Sequence, residues 1–276
     1  MVDRDVGSLP PSDVLADLRD RATELARRGG EVLLRYAASR PAASSKGVRR
    51  ELVTEADRAT EHVVVGGILQ QFPSHSVLAE EGVLTAQGQS SSASEWNWII
   101  DPLDGTTNFV HGLPFYAVAI GLTWRSIPVV GVVHAPALGE TYTAALGLGA
   151  FCNGSRLSVT RTKDLADALL ATGFAYRRDE PGAIDNLERL RRLMPKIRDI
   201  RRCGSAELDL CMVAKGVYDA YWEFGLAPYD VAAGAVLVRE AGGVVTDIHG
   251  GDDWLSSGQV LASNGALHEA VRAYLP

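Results

Sequence analysis

A chain of 276 residues, 46% hydrophobic and 22% charged, has the apolar content of one large soluble globular unit and is not a disordered or fibrous composition. Its formal net charge of −7 argues against a nucleic-acid-binding surface as the main function, and no apolar run approaches the ~18 residues of a membrane span. Cys152, Cys203 and Cys211 show no C-x-x-C spacing and read as free thiols in a reducing cytoplasm, while the scattered histidines form no zinc pattern.

Residues 1–11 are acidic and Pro-containing, lack the charged and apolar regions of a secretion signal, and read as a disordered leader. Residues 12–276 read as a single domain, with an α+β half over 12–160 and an α/β half over 161–276; no repeat or long polar linker divides them. Ser12 is the expected N-cap of an amphipathic helix to about Ala38, with Val14, Leu15, Leu18, Leu25 and Val32 at helical spacing and Gly29-Gly30 as a weak point or a place of close packing. A loop through Pro41, Ser44, Ser45 and Lys46 leads to a second helix opened by Thr54 and running to about Gln71. Ser76 to Glu80 reads as a short strand ending at Glu80-Glu81, and Gly82 to Glu95 as a mobile surface loop. An apolar run from Trp98 to Ile100 then delivers Asp101 and Asp104 to a turn that opens a helix.

Strands are expected over Tyr116–Trp124, Val129–Ala135, Thr141–Ala145 and Leu157–Thr160, antiparallel because their connections are too short for crossovers. Strands and helices alternate after this: Leu169–Thr172, helix Ala183–Met194, Asp199–Arg202, helix Ser205–Lys215, Asp219–Glu223, helix Asp230–Ala241, Val244–Thr246, Val260–Ser263, and a last helix Gly265–Tyr274. This rhythm implies a layered α/β half.

The most informative stretch is Trp98-Ile99-Ile100-Asp101-Pro102-Leu103-Asp104-Gly105-Thr106-Thr107-Asn108-Phe109. Two carboxylates on rigid backbone suit a hard divalent cation such as Mg²⁺. The amides of Gly105, Thr106 and Thr107 would open a helix, where N–H groups and the helix dipole favour an anion such as phosphate. Taken alone, D-x-x-D with Asp-Pro and Asp-Gly fits an ordinary strand-to-helix turn equally well. An acidic pocket would repel a phosphate ester unless cations filled it, so the charge balance also fits metal-dependent phosphate chemistry.

The full string D-P-L-D-G-T-T-N-F after W-I-I resembles the signature of the inositol monophosphatase family, the lithium-sensitive Mg²⁺-dependent phosphatases. The resemblance runs in order from about Lys46 to Asn264. It includes Leu78-Ala79-Glu80-Glu81 for a G-E-E pattern, Gly204-Ser205-Ala206, Tyr229-Asp230-Val231-Ala232-Ala233-Gly234 for W-D-x-A-A-G, and Glu240-Ala241-Gly242-Gly243-Val244. Ala79 and Tyr229 are departures from the pattern. The resemblance implies an α/β (α+β) fold, a layered αβαβα sandwich, and a homodimer.

It also implies roles for individual residues. Glu80, Asp101, the Leu103 carbonyl, Asp104 and Asp230 would ligate two or three Mg²⁺ ions, Asp101 bridging two of them. Thr106 and Glu80 would orient the attacking water. Asp57, which by local pattern sits at N3 of a capping box on Thr54, would hold Thr106. Asp104, Gly105, Thr106, Ser205, Ala206, Glu223 and Asp230 would contact the substrate, Glu223 accepting from a hydroxyl of a polyol. Glu81 would stand behind the metal ligands, and Lys46 would neighbour the metal loop.

The implied activity is hydrolysis of inositol monophosphate or a related polyol phosphate by a metal-activated water, with no covalent intermediate. Histidinol phosphate, fructose 1,6-bisphosphate or a nucleotide are alternative substrates, and Arg177-Arg178 read either as a contact for a second anionic group or as a solvated basic patch. A bacterial relative that acts in ribosomal RNA transcription leaves a binding role as the non-enzymatic alternative.

Overall fold

The computed structural model describes residues 9–39, 43–45, 52–82, 94–176, 184 and 186–276. Most of the expected leader, most of the expected loop over 82–95, Lys46, and Arg177-Arg178 lie outside the described residues.

The first layer is a pair of helices, α1 (Ser12–Ser39) and α2 (Glu55–Gln71), with the short strands β1 (Ala43–Ser45) and β2 (Leu52–Thr54) paired between them. Leu15, Leu18, Ala22, Leu25, Ala26, Val32 and Leu33 form the buried stripe of α1, spaced as a core-facing helix requires, while Val14 points outward. Gly29 and Gly30 are places of close packing, the first against Val64 and Val118 and the second against the His134 ring.

This layer covers a seven-stranded sheet in the order β3-β4-β5-β6-β7-β8-β9. Its strands are β3 (Ser76–Ala79), β4 (Trp96–Asp104), β5 (Ala117–Trp124), β6 (Ile127–Ala135), β7 (Glu140–Ala145), β8 (Gly149–Cys152) and β9 (Ser155–Arg156); the helix α3 (Thr106–His111) follows β4. Strands β4 to β9 pair antiparallel as their short connections require, and β3 joins β4 in parallel. The segment Leu157–Thr160 is not a strand. Its amides bond two different partners, Leu157 to the Ala150 carbonyl at 2.8 Å and Val159 to the Ala241 carbonyl at 3.1 Å, instead of one ladder.

The second sheet has five strands, in the order β11-β10-β12-β14-β13. Its elements, with the intervening helices, are β10 (Leu169–Thr172), α4 (Asn186–Leu193), β11 (Asp199–Arg201), α5 (Ala206–Ala214), β12 (Ala220–Phe224), α6 (Ala232–Glu240), β13 (Val244–Thr246), β14 (Gln259–Ser263) and α7 (His268–Arg272). β11, β10 and β12 are parallel, and β14 runs antiparallel to both β12 and β13. α6 begins two residues later than expected because Pro228–Asp230 forms its own 3-10 turn. The last helix is shorter than expected because Gly265 takes a left-handed φ of 81°.

α5 and α6 lie between the sheets and share one core with both. α4 and α7 cover the outer face of the second sheet, where Leu193, Leu267 and Val271 pack with Leu170, Trp222 and Leu261. The result is the αβαβα sandwich.

The contact between α6 and the first sheet depends on the absence of side chains. A Cβ at Gly131 of β6 would run into the Ala233 carbonyl, and one at Gly121 of β5 would stand 2.7 Å from the Ala232 Cβ. Gly131→Ala is therefore expected to lower stability by about 1–3 kcal/mol through overpacking against backbone. The urea midpoint checks this, and an unchanged midpoint would mean that α6 is not seated on β6 in this way.

Candidate active site

The site grows from the end of β4. Seven consecutive residues, Trp98 to Asp104, are buried. Pro102 has no N–H to continue the ladder. Asp101 pairs with Ala119 and Asp104 with Ala117, so three steps on β4 oppose two on β5. This bulge changes the parity of the strand. Residues three apart in a regular strand face opposite sides, and the extra residue brings Asp101 and Asp104 to the same one. The Asp101 carboxylate accepts from the Leu103 amide at 2.9 Å, which fixes the turn. Gly105 follows at φ 89°, where a Cβ would press on the Phe115 carbonyl at 2.9 Å, and α3 begins at Thr106.

The capping box at the start of α2 and the expected contact with Thr106 coexist. Asp57 is fully buried; one carboxylate oxygen takes the Thr54 amide at 2.8 Å and the Thr54 hydroxyl at 2.6 Å. Its other oxygen lies 3.3 Å from the Thr106 hydroxyl, which is also 3.1 Å from the Leu103 carbonyl. Either contact takes the hydroxyl proton and leaves the Thr106 oxygen free to accept. Glu80 follows β3, its amide bonded to the Ile100 carbonyl at 3.2 Å, and its carboxyl shares a hydrogen bond with Asp101. The Glu81 amide donates to Glu61, a wholly buried acid of α2, at 2.8 Å.

Asp104 meets the start of α5. Its carboxylate accepts from the Ser205 hydroxyl, the Ala206 amide at 3.2 Å and the Glu207 amide at 2.9 Å. Ser205 and Ala206, expected to face substrate, line the same cleft while holding Asp104. Asp230 closes the turn before α6, accepting from the Ala227 amide at 2.6 Å. Glu223 and Tyr221 share one face of β12, and the Tyr221 hydroxyl donates to Glu223 at 2.5 Å. Gly173 opposite leaves the room that this carboxylate occupies. Phe174, Tyr176, Arg202 and Leu226 complete the cleft. A wider groove of about 670 Å³ lies between α1 and β7–β8, and none of the expected site residues lines it.

Like charges govern the cleft. Burial pushes the Asp101 carboxyl well up, and the charges of Glu80, Asp104 and Asp230 push it further. Asp230 is raised by burial and by Glu80, Asp104 and Glu223, against the Ala227 hydrogen bond. Burial lifts Asp104 to about 6 despite its three donors. It lifts Glu223 to about 7 against the Tyr221 hydrogen bond and the Arg202 charge. Among the described residues no three acids, histidines or cysteines stand at the spacing of a closed ion cage, since Asp104 and Asp230 are turned to backbone donors. The donor set still fits Mg²⁺: hard oxygens, an excess of negative charge, and a carbonyl at Leu103 with a second lone pair.

Sequence reading missed Glu61, Glu207, Arg202 and Asn108. The Asn108 amide group bonds the Phe115 carbonyl at 2.7 Å and the Cys203 carbonyl at 2.9 Å, tying α3 to the approach of α5. Asn108 stands in the Trp98–Phe109 string, which does not show what its side chain ties together, and no local pattern marks the other three, because each acts on a segment distant in the chain.

Acids gathered within an αβαβα sandwich fit the metal-dependent phosphatases that the sequence motifs resemble. Comparison narrows the class. The model of the inositol monophosphatase family matches residues 15–276. The Nus factor SuhB of Pseudomonas aeruginosa is 41% identical over 261 residues, 92% of this chain and 96% of that one. The solved inositol monophosphatase of Anabaena (Nostoc) sp. PCC 7120 is 40% identical, with a TM-score of 0.84 over 95% of this chain and 96% of that one. A solved IMPase/NADP phosphatase complexed with Mg²⁺ and phosphate is 25% identical, with a TM-score of 0.82 and coverage of 95% and 96%. The chain belongs to the inositol monophosphatase family, whose members are Mg²⁺-dependent phosphatases.

A carboxyl raised by folding binds its proton more tightly in the folded chain, so stability is fully present below the unfolded pKa and is lost as pH rises through the folded one. The windows are 3.8 to about 6 for Asp104 and 4.5 to about 7 for Glu223. The metal-stripped protein is expected to lose Tm between about pH 4 and pH 7, and added Mg²⁺ to restore it. A flat profile without metal would contradict the repulsion described for the cleft.

Proposed function

We propose that this protein is a phosphomonoesterase that hydrolyses inositol monophosphate or a related polyol phosphate, with two or three Mg²⁺ ions per site. The observation that carries this reading is the gathering of Glu80, Asp101, Asp104 and Asp230 at one place, where Asp101 and Asp230 are raised by burial and by the charges of the acids around them. These four carboxylates and the Leu103 carbonyl would hold the cations. When bound, Mg²⁺ supplies Lewis-acid polarisation of the phosphoryl group and a water of lowered pKa.

The remaining work falls to the chain. The Thr106 hydroxyl donates its hydrogen bond to Asp57 or to the Leu103 carbonyl, so the Thr106 oxygen can accept a hydrogen bond from the attacking water while Glu80 accepts another. That water attacks phosphorus in line with the ester oxygen and gives a proton to Glu80; the phosphorus–oxygen ester bond breaks, and the departing alkoxide takes its proton from a water held near Asp230. Gly105 and Thr106 at the start of α3, with the Ser205–Ala206 turn, face the phosphate. Glu223 accepts from a hydroxyl of the departing polyol, since a carboxylate has no proton to give at the pH where it is ionised. Residues 12–276 act as one catalytic unit in this reading.

A second reading rests on Arg202. Its guanidinium lines the cleft beside Glu223 and would suit a substrate with a second anionic group, such as a bisphosphate or a nucleotide.

Phosphate release from a panel of polyol phosphates, bisphosphates and nucleotides, with and without Mg²⁺, tests both readings. Activity is expected to vanish on metal stripping and to return with Mg²⁺. Asp101→Asn keeps the shape of the side chain and removes its charge, so it should fold normally and lose at least ~10²-fold in kcat/KM, about 2.7 kcal/mol of transition-state stabilisation. Full turnover in excess EDTA, or wild-type rates in that variant, would sink the metal mechanism.

Glu223→Gln loses the charge-assisted hydrogen bond, worth about 1.5–3 kcal/mol. It should reduce kcat/KM for myo-inositol 1-phosphate far more than for p-nitrophenyl phosphate, which offers no hydroxyl partner. Equal losses on both substrates would place Glu223 in the chemistry or the fold instead.

A further inference from the structure

Glu207 is the second residue of α5, a helix buried along its whole length. Its side chain is fully buried. An acid placed there is costly unless donors meet it, and the donors come from another helix. One carboxylate oxygen accepts the Ala233 amide at 3.1 Å, and the other accepts the Gly234 amide. These amides belong to the first turn of α6, which has no side-chain cap of its own: its N-cap position is Val231. Gly234 is needed for the approach, because a Cβ there would stand 2.7 Å from the Glu207 carboxylate.

The same residue reaches the opposite wall of the cleft through its main chain. Its amide donates to Asp104 at 2.9 Å. Asp230 lies in the turn that leads directly into α6, three residues before Ala233. Glu207 thus grips Asp104 with its backbone and the element carrying Asp230 with its side chain, and it is close enough to feel the charges of both. On the other side, Gly121 and Gly131 seat the start of α6 on the first sheet. The Asp230 turn is therefore held from two sides, by backbone packing below and by one carboxylate above.

We propose that Glu207 is a positioning residue that sets the separation of Asp104 and Asp230 and so tunes cation affinity at that end of the cleft. The proposal rests on the reading of these two acids as metal ligands. Glu207 touches neither substrate nor metal. It fixes two ligand-bearing helix starts that come from different parts of the chain.

The test is calorimetric titration of metal-stripped protein with Mg²⁺ in the presence of inorganic phosphate, for wild type, Glu207→Gln, Glu207→Asp and Asp101→Asn, with circular dichroism and Tm alongside. Glu207→Gln turns an NH₂ group toward an N–H donor, so the first turn of α6 must shift. About a 10-fold or greater weakening of Mg²⁺ binding is expected, with KM for substrate at saturating Mg²⁺ changed less than about 2-fold. Glu207→Asp keeps the charge one methylene shorter and should recover part of the affinity. A folded Glu207→Gln protein with the wild-type Mg²⁺ titration overturns the proposal. If that variant does not fold, Glu207→Asp decides: intermediate affinity supports the proposal, and wild-type affinity overturns it. Wild-type protein that binds no Mg²⁺, or Asp101→Asn that binds like wild type, would sink the metal reading itself and this proposal with it. That result differs from a defect missing only in the Glu207 variants.

Discussion

Glu80, Asp101, Asp104 and Asp230 come together from three separate stretches of chain, two of them buried and two half-buried, and the repulsion that Asp101 and Asp230 feel from the others is the constraint on which the rest of the structure depends. Burial weakens solvent screening, so each added carboxylate raises the cost of ionising its neighbours. In the protein alone, backbone donors offset part of that cost. The start of α5 holds Asp104, the Ala227 amide holds Asp230, and the Leu103 amide holds Asp101. Polar groups that satisfy the acids leave the cleft a net anion, which is why its chemistry calls for hard cations.

The sandwich makes this concentration of charge tolerable. α5 and α6 are packed between two sheets, so their N-terminal amides converge on one place instead of pointing to solvent. Three glycines allow the convergence: Gly121 and Gly131 bring α6 onto the first sheet, and Gly234 brings it onto Glu207. The parity change in β4 does the equivalent work for the strand, turning two acids three residues apart toward a single cleft. The other sheet brings Glu223, steadied by Tyr221 and countered by Arg202, to the same opening.

The sequence by itself determined the local elements and the acids. Helical spacing marked α1, short apolar runs marked most of the strands, and the string from Trp98 to Phe109 marked the turn that carries Asp101, Asp104 and Thr106. These were legible because their causes are local: periodicity, caps and turn residues act over a few positions. Even Asp57, which could be read as either a cap or a support for Thr106, is both, since its two oxygens serve different partners.

Only the tertiary structure decided what depends on distant segments meeting. Leu157–Thr160 alternates like a strand, yet finds no single neighbour to pair with. Glu207 reads as an ordinary early-helix acid, and becomes the cap of a different helix because α5 and α6 are pressed together at their starts. Arg202 carries no signal in its neighbourhood, and the string that contains Asn108 does not show its partners; both gain their roles where β12 and α3 come to the mouth of α5. Spacing along the chain can supply acids and turns. The direction in which each carboxylate is held, and by which amide, is fixed by packing between layers whose residues stand a hundred positions apart.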